Sequence, residues 1–350
     1  MKAEPPAWFG QVLATLLARQ DLSSLIITEM MRDFVAGRVG DVWGAAILIA
    51  LRMKGETAEE LAAAAGVLRE QMVRLVPVSG PVLDTCGTGG DHSGTFNIST
   101  AAALVVSAAG VPVVKHGNRA VSSRSGSADV LRELGVPIDS GPVWAQKCLD
   151  RLGFAFCYAP HFHGGMAHVA SIRRKLGVRT IFNLLGPLAN PANAPYHLLG
   201  VGEANLLDRL AGALAELATA RRAVVVWSED GLDEVSLAAP CRVRVVCGDG
   251  YVCRVWQPQD FGLGTVSIEQ IRVPDAAASA HLIRQVLAGK EGPAWKVVVA
   301  NAAAALWAAE QVPDLRTGVE QAVSTIRQGR PQALLEQLIQ SHQWGTTENS

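Results

Sequence analysis

The chain carries little charge and almost no net charge. Asp, Glu, Lys and Arg make up 18% of 350 residues, and 31 bases against 32 acids leave −1 at pH 7. Proteins that hold nucleic acid along a groove usually show a basic surplus; its lack leaves that class only a local patch. Long apolar runs are lacking too. No uninterrupted stretch reaches the roughly 18 residues a membrane span needs, so no membrane segment is expected. The six cysteines form no C-x-x-C pair, and a chain of this length needs no disulfide staple. Cys241, Cys247 and Cys253 fall in CRVRVVCGDGYVC. That stretch alternates as a β-hairpin about Gly-Asp-Gly, and its cysteine spacing is wider than the ligand pairs of structural zinc. Reduced thiols and a cytoplasmic location are expected. The start, MKAEPPAWFGQVLATLLARQ, has Glu4, two prolines and Gln11. It lacks a clean small-residue cleavage site and reads as an amphipathic first helix, not a signal peptide.

What is abundant is apolar. Hydrophobic residues make up 49% of the chain, which supports a large buried core and argues against disorder. Residues 8–76 read as helix throughout, with apolar residues at helical spacing in PAWFGQVLATLLARQ, LIITEMMRDFVAG, DVWGAAILIALRMKG and TAEELAAAAGVLREQM. Thr57 and Glu60 make a capping box, and Gly37 and Gly55 follow their helices as C-terminal caps do. From Pro81 the pattern changes. PVLDTC, VPVVKHG, FAFCYAP, YHLLGVG and RAVVVWS read as strands. ISTAAALVVSAAG, ADVLRELG, PVWAQKCLDRLG, NLLDRLAGALAELA and VANAAAALWAAEQ read as helices between or after them. Such alternation predicts an α/β layer on a mostly parallel central sheet, beside a small all-helical domain. Residues 237–256 read as antiparallel.

One stretch, DTCGTGGDHSGTFNIST at 84–100, sets Gly87, Gly89 and Gly90 between a strand and a helix that begins after Asn97. A glycine turn running into a helix N-terminus is a phosphate cradle, because backbone N–H groups can approach an anion. Asn97, Ser99 and Thr100 add short polar side chains. The run is neither a P-loop nor a complete G-x-G-x-x-G, since position 92 is His. After the next strand comes KHGNRAVSSRSGSAD, 115–129, with Lys115, His116, Arg119 and Arg124 among glycines and hydroxyls, and Ser127 or Asp129 opening another helix. Two such loops at the C-terminal ends of neighbouring strands would face one crevice. A ligand with phosphates at both ends would suit them.

SEDGLDEVS, 228–236, sets Asp233 beside Glu234 in a turn after a strand. Adjacent carboxylates suit Mg²⁺ brought in with a polyphosphate. In HFHGGMAHVASIRRKLGVRTIFNLLGPLANP, 161–191, the histidines at 161, 163 and 168 lack metal-ligand spacing. Arg173, Arg174 and Arg179 each offer a planar fork for a substrate carboxylate, and the residues do not choose among them.

Taken together and in order, ALRMKGETAEELA, DTCGTGGD, TFNIST, KHGNRAVSS, SGSADVL, RTIFNLLGPLANP and GLDE resemble the anthranilate phosphoribosyltransferase family over almost the whole chain. The resemblance implies a nucleoside-phosphorylase-like phosphoribosyltransferase fold. It implies a helical, dimerising domain of residues 1–78, with about 164–192 packed on it, and an α/β domain of 79–163 and 193–350. It further implies a homodimer and about two Mg²⁺ per monomer. The reaction implied joins the amine of anthranilate to C1 of 5-phosphoribosyl-1-pyrophosphate, with release of pyrophosphate, in tryptophan biosynthesis. By motif position, Gly87, Gly90, Asp91, Thr95 and Asn97, Ile98, Ser99 and Thr100 would bind the donor. Lys115, His116, Gly117, Asn118, Arg119, Ala120, Val121, Ser122 and Ser123 would wrap its other part, with Ser127 nearby. Asp233, Glu234 and Ser99 would hold the metal. Gly87, Asn118 and Arg173 would contact anthranilate, with His116 close by.

The chain departs from the family where HGGM, 163–166, replaces H-P-A-M and ASIR, 170–173, replaces A-P-V-R. Both changes lose a proline beside the acceptor channel, and two glycines should loosen the segment. No general base is assigned, because an aromatic amine is a neutral nucleophile at pH 7. The alternatives are a same-fold enzyme with another aromatic acceptor, a nucleoside phosphorylase, and a non-catalytic relative that binds nucleic acid. The glycine loop lacks the phosphorylase pattern K-H-S-T-G-G-V-G-D, and the charge balance opposes the last.

Overall fold

The apolar periodicity at the start becomes four helices: α1 (Phe9–Leu17), α2 (Ser24–Val35), α3 (Asp41–Lys54) and α4 (Ala58–Gln71). The computed structural model describes residues 4–77, 80–120 and 125–345. The capping box is formed: Glu60 N donates to Thr57 Oγ1 at 3.1 Å, and Thr57 N to Glu60 Oε2 at 2.8 Å. Glu60 is fully buried and also accepts from the Leu22 amide at 2.8 Å and from Lys54 Nζ at 2.8 Å. One carboxylate thus ties α3, α4 and the α1–α2 connection together.

Strands and helices then alternate: β1 (Leu83–Gly87), α5 (Ile98–Ala108), β2 (Val113–Gly117), α6 (Ser127–Glu133), α7 (Gly141–Leu152), β3 (Phe154–Tyr158), α8 (Ala159–Phe162), α9 (Met166–Leu176), β4 (Tyr196–Gly200), α10 (Leu206–Glu216) and β5 (Arg222–Ser228). The antiparallel β6 (Cys241–Cys247) and β7 (Gly250–Trp256) follow, and α11 (Ala276–Leu287), α12 (Pro293–Ala308), α13 (Leu315–Arg327) and α14 (Arg330–Gln340) close the chain. β1 and β2 begin two residues later than their apolar runs, because Pro81 and Pro112 have no N–H for a ladder. α6 begins at Ser127, with Gly126 as its cap and Asp129 inside the first turn.

The sheet order is β3-β2-β1-β4-β5-β6-β7, with the first five strands parallel. Buried parallel strands present alternate residues to opposite faces. Leu198, Val224 and Val226 enter the core under α5 and α12, while Leu199, Ala223 and Val225 enter a second core with α10 and α1–α4. Val169, Ile172 and residues 181–189 also join that second core through Ile181, Leu185 and Leu188. The chain leaves β1 toward β2 and β3, then returns across β1 to β4. Connections diverge at that switch point, and a crevice opens beyond the carboxyl ends of the strands.

Candidate active site

The two polar loops meet at that crevice. β1 ends at Gly87, and the turn after it takes Gly89 and Gly90 through φ of 62° and 83°, a left-handed region where L side chains are strained. Gly87 is small for a different reason. A Cβ there would stand 2.9 Å from Asp233 Oδ2. At Gly90 the Arg179 guanidinium occupies the space a Cβ would need, and Arg179 Nη2 donates to the Thr88 carbonyl at 2.9 Å. The glycines thus let two charged groups of the protein itself reach the loop.

The acidic pair lies beneath it. Gly89 N donates to Asp233 Oδ2 at 3.0 Å, and Ser99 N, in the first turn of α5, donates to Glu234 Oε1 at 3.0 Å. Burial first, then the charges of Asp91 and Glu234, push the Asp233 carboxyl well above the ordinary range. Burial also pushes Glu234 up to about 7, against the pull of Lys115. Lys115 is buried, and its Nζ donates to the Thr85 carbonyl and to Ser99 Oγ, the latter at 3.1 Å. Burial lowers its pKa, while the fields of Asp84 and Glu234 oppose that.

The second loop starts where β2 ends at Gly117. Asp129 Oδ2 accepts from the amides of Ala120 and Gly126 at 2.8 and 3.0 Å, folding the segment back over α6. Asn97 Oδ1 accepts from Ser125 Oγ at 2.8 Å, which joins this loop to the start of α5. Val121, Ser122, Ser123 and Arg124 lie outside the described residues.

Both loops and the acidic pair line one cleft of about 650 Å³. From the first loop it takes Gly87, Gly90, Asp91 and Thr95, and from the α5 start Asn97, Ile98 and Ser99. From the second it takes Lys115, His116 and Gly117, then Asn118, Arg119 and Ala120, and Ser127 at the head of α6. Asp233 and Glu234 close the floor. Thr100 alone among the described candidates does not line the cleft: its side chain is fully buried and Oγ1 has no hydrogen-bond partner. It is the third residue of α5, one step round the helix from Ser99, and turns to the core.

The opposite wall comes from α9. Met166, Ala167, Ala170 and Arg173 recur at helical spacing and share the face toward the cleft. Arg173 is half-buried there and makes no salt bridge among the described residues, an uncommitted cation facing a cavity. Arg179 also lines the cleft, whereas Arg174 does not. In the HGGM turn, Gly165 has no room for a side chain, because a Cβ would stand 2.9 Å from the Val35 carbonyl. Gly164 faces open space. The second glycine therefore serves close packing against α2.

Three contributors escaped the reading of the sequence. Arg179 was one of three equal arginines, and nothing local aims it at Gly90. Asp129 was legible as an acid three residues past Gly126, a spacing that favours capping. His163 stands out in the sequence as an unsuitable metal ligand and as the first residue of HGGM. No three His, Cys, Asp or Glu side chains among the described residues form a set ready for a metal. The hard-oxygen donors are the pair and Ser99 Oγ.

Comparison with known proteins shows the family of the chain. A model for the glycosyl transferase family, a/b domain, matches residues 79–332, and one for the helical bundle domain of the glycosyl transferase family matches 10–72. An anthranilate phosphoribosyltransferase from Thioalkalivibrio sulfidiphilus is 45% identical over 94% of this chain and 97% of its own. A crystal structure of anthranilate phosphoribosyltransferase from Thermus thermophilus is 40% identical and superposes with a TM-score of 0.88 over 95% of this chain and 99% of that one. The Saccharomyces cerevisiae enzyme in complex with phosphoribosyl pyrophosphate and Mg is 29% identical, with a TM-score of 0.87 over 96% and 98% of the two chains.

Proposed function

The chain belongs to the anthranilate phosphoribosyltransferases, and on that premise we propose how its cleft moves the phosphoribosyl group of phosphoribosyl pyrophosphate to the amine of anthranilate, releasing pyrophosphate. The observation that carries this reading is the convergence of both glycine loops on Asp233 and Glu234 in one cleft. The loop from Gly87 to Thr95 and the α5 start from Asn97 to Ser99 hold the donor at the pyrophosphate end. Lys115 to Ala120, with Ser127, hold the remainder of it. Helix N-termini and backbone N–H groups suit phosphate oxygens because their positive ends are already aligned.

The donor set fits Mg²⁺. Each acidic side chain has an oxygen tied to a backbone amide, and each is burdened by burial and by like charge that a cation relieves. Two carboxylates and a hydroxyl are too few for a cage, which suits an ion that keeps waters and shares substrate phosphates. When bound, the ion neutralises charge that builds on the leaving pyrophosphate. We assign Ser99, Asp233 and Glu234 as its protein ligands. Lys115 holds Ser99 Oγ in place and keeps a positive charge beneath the leaving group. Arg173 takes the anthranilate carboxylate in its fork, and Asn118, Gly87 and His116 border the ring. Much of the rate then comes from positioning the amine against C1.

The protein works as a homodimer in this reading, joined at its helical end. Leu17, Leu25, Val42 and Met53 of α1–α3 stay more than two-thirds exposed there, at 71%, 79%, 72% and 72%. Light scattering after gel filtration tests this, and a monomer at micromolar concentration rejects it. Residues 1–78 with 164–192 form the helical unit, supported by the core they share. Cytoplasmic residence is supported by cysteines that are all unpaired. No helix among the described residues is long and apolar enough to cross a membrane.

The deciding experiment follows anthranilate fluorescence. Emission falls only when protein, Mg²⁺ and phosphoribosyl pyrophosphate are all present; emission that stays constant in the complete mixture rejects the reading.

A further inference from the structure

The second half of the first loop is braced from far along the chain. The Phe96 amide donates to the Ile271 carbonyl at 3.1 Å, and the Val273 amide to the Gly94 carbonyl at 2.9 Å, about an antiparallel bridge between Thr95 and Arg272. Arg272 Nε adds a bond to the Ser93 carbonyl at 2.9 Å. Asp275 then caps α11, accepting from the Ala278 amide at 2.8 Å, and Ser279 follows at the end of the first turn.

Ser279 is fully buried and does not line the cleft, yet its hydroxyl serves a residue that does. Asn97 N donates to Ser279 Oγ at 3.0 Å, so the hydroxyl keeps its own proton for Asn97 Oδ1, 2.8 Å away. A serine inside a helix commonly turns its hydroxyl back to the carbonyl four residues earlier. This one reaches across to α5 instead. Asn97 precedes α5, where an asparagine ordinarily folds its oxygen onto an amide of the first turn. It makes no such cap. Its Oδ1 accepts from Ser279 and from Ser125 Oγ, the latter also at 2.8 Å, and its Nδ2 donates to the Ser125 carbonyl at 3.3 Å. That carbonyl can only accept, which sets the orientation of the Asn97 amide.

Resting on the function proposed above, we propose that Ser279 is a positioning residue for phosphoribosyl pyrophosphate. By holding Asn97 Oδ1 it keeps that side chain off its own helix and turned to Ser125. The start of α5 and the second loop are thereby joined before the ligand arrives, and the cost of ordering them is not charged to binding. Asn97 and Ser125 both line the cleft, so the junction lies where the ligand is held. Position 279 needs an acceptor for the Asn97 amide and a proton for Asn97 Oδ1. A hydroxyl supplies both, and a methyl supplies neither. With a methyl there, Asn97 is released to cap α5 and the junction loosens. The chain of bonds does not include Arg173 or α9, so the anthranilate side of the cleft stays as it is.

The test titrates phosphoribosyl pyrophosphate with Mg²⁺ into wild type, Ser279→Ala, Ser125→Ala and the double variant by calorimetry, and measures KM for each substrate. Each protein is first checked for native circular dichroism. Ser279→Ala is expected to weaken phosphoribosyl pyrophosphate on the order of tenfold, the worth of one or two hydrogen bonds, with KM for anthranilate within about twofold. Both single variants break one junction, so the double variant should bind within about twofold of the weaker single, whereas independent structural defects would multiply. Should Ser279→Ala fail to fold, Ser279→Cys keeps the shape with a poor hydrogen-bond donor and carries the same expectation. Three results overturn the inference: affinity for phosphoribosyl pyrophosphate within about twofold of wild type, an equal rise in KM for anthranilate, or losses that multiply in the double variant. Absence of phosphoribosyl pyrophosphate binding in wild type overturns the parent reading instead, so the two failures are distinct.

Discussion

Gly87 and Asp233 are 146 residues apart in the chain and in contact in the fold: a Cβ on Gly87 would lie 2.9 Å from Asp233 Oδ2. The end of β1 and the turn after β5 are thus pressed together at the floor of the cleft. Gly87→Ala should push Asp233 off the Gly89 amide with little effect on overall stability. The expected result is a Mg²⁺ requirement raised about tenfold or more, read from initial rates against Mg²⁺ concentration at saturating anthranilate. An unaltered Mg²⁺ dependence would separate Asp233 from the metal.

The acidic pair opposes folding in the metal-free protein. Both carboxyls have folded-state pKa values raised by burial, and Asp233 also by its acidic neighbours. A raised acid binds more protons folded than unfolded, so stability increases as pH falls through the window between the two pKa values. For Glu234 that window runs from about 7 down to its ordinary value of 4.5. In EDTA, Tm should therefore rise between pH 8 and pH 6, and Glu234→Gln should flatten the rise. Mg²⁺ with phosphoribosyl pyrophosphate should stabilise wild type at pH 8 and not the double variant Asp233→Asn, Glu234→Gln, which should also lose roughly 10²-fold or more in kcat. Calorimetry across pH checks the first, and unchanged turnover of the double variant at saturating Mg²⁺ would refute the second.

Arg173→Ala removes the cation assigned to the acceptor carboxylate. KM for anthranilate should rise at least about tenfold while KM for the donor stays within about twofold, as steady-state kinetics in each substrate will show. Arg173→Lys should recover only part, since a single ammonium cannot offer the planar fork. Equal effects on both substrates would remove the assignment.

Glu60 carries the helical end. Its oxygens serve the Leu22 and Thr57 amides and Lys54, all with little or no exposure of the carboxylate. Glu60→Ala leaves two amides without their acceptor and Lys54 with only the exposed Asp21 as partner, and breaking a buried pair costs about 3–5 kcal/mol. Urea unfolding should show that loss, and a change under about 1 kcal/mol would mean the network is dispensable.

Local features were legible where local physics suffices. Thr57 and Glu60 announced a capping box, apolar runs bounded by glycine and proline located β1 to β5, and CRVRVVCGDGYVC announced the β6–β7 hairpin. The two polar glycine loops were visible because glycine and short hydroxyl residues cluster where backbone must be bare. Thr100 misled, because a polar residue in the first turn of α5 can face either way and here faces the core. Arg179 could not be distinguished from Arg173 and Arg174, since the choice depends on where α9 ends relative to Gly90.

By itself the sequence determined the periodicities, the caps and the chemical kinds available: bare backbone, adjacent carboxylates, forked cations. These are properties of a few neighbouring residues, decided by sterics and hydrogen bonding within a turn or two. Only the tertiary structure decided which of them meet. The return of the chain across β1 to β4 brings Asp233 under Gly87 and Arg179 over Gly90, because burying both faces of one sheet forces distant segments to share its carboxyl edge.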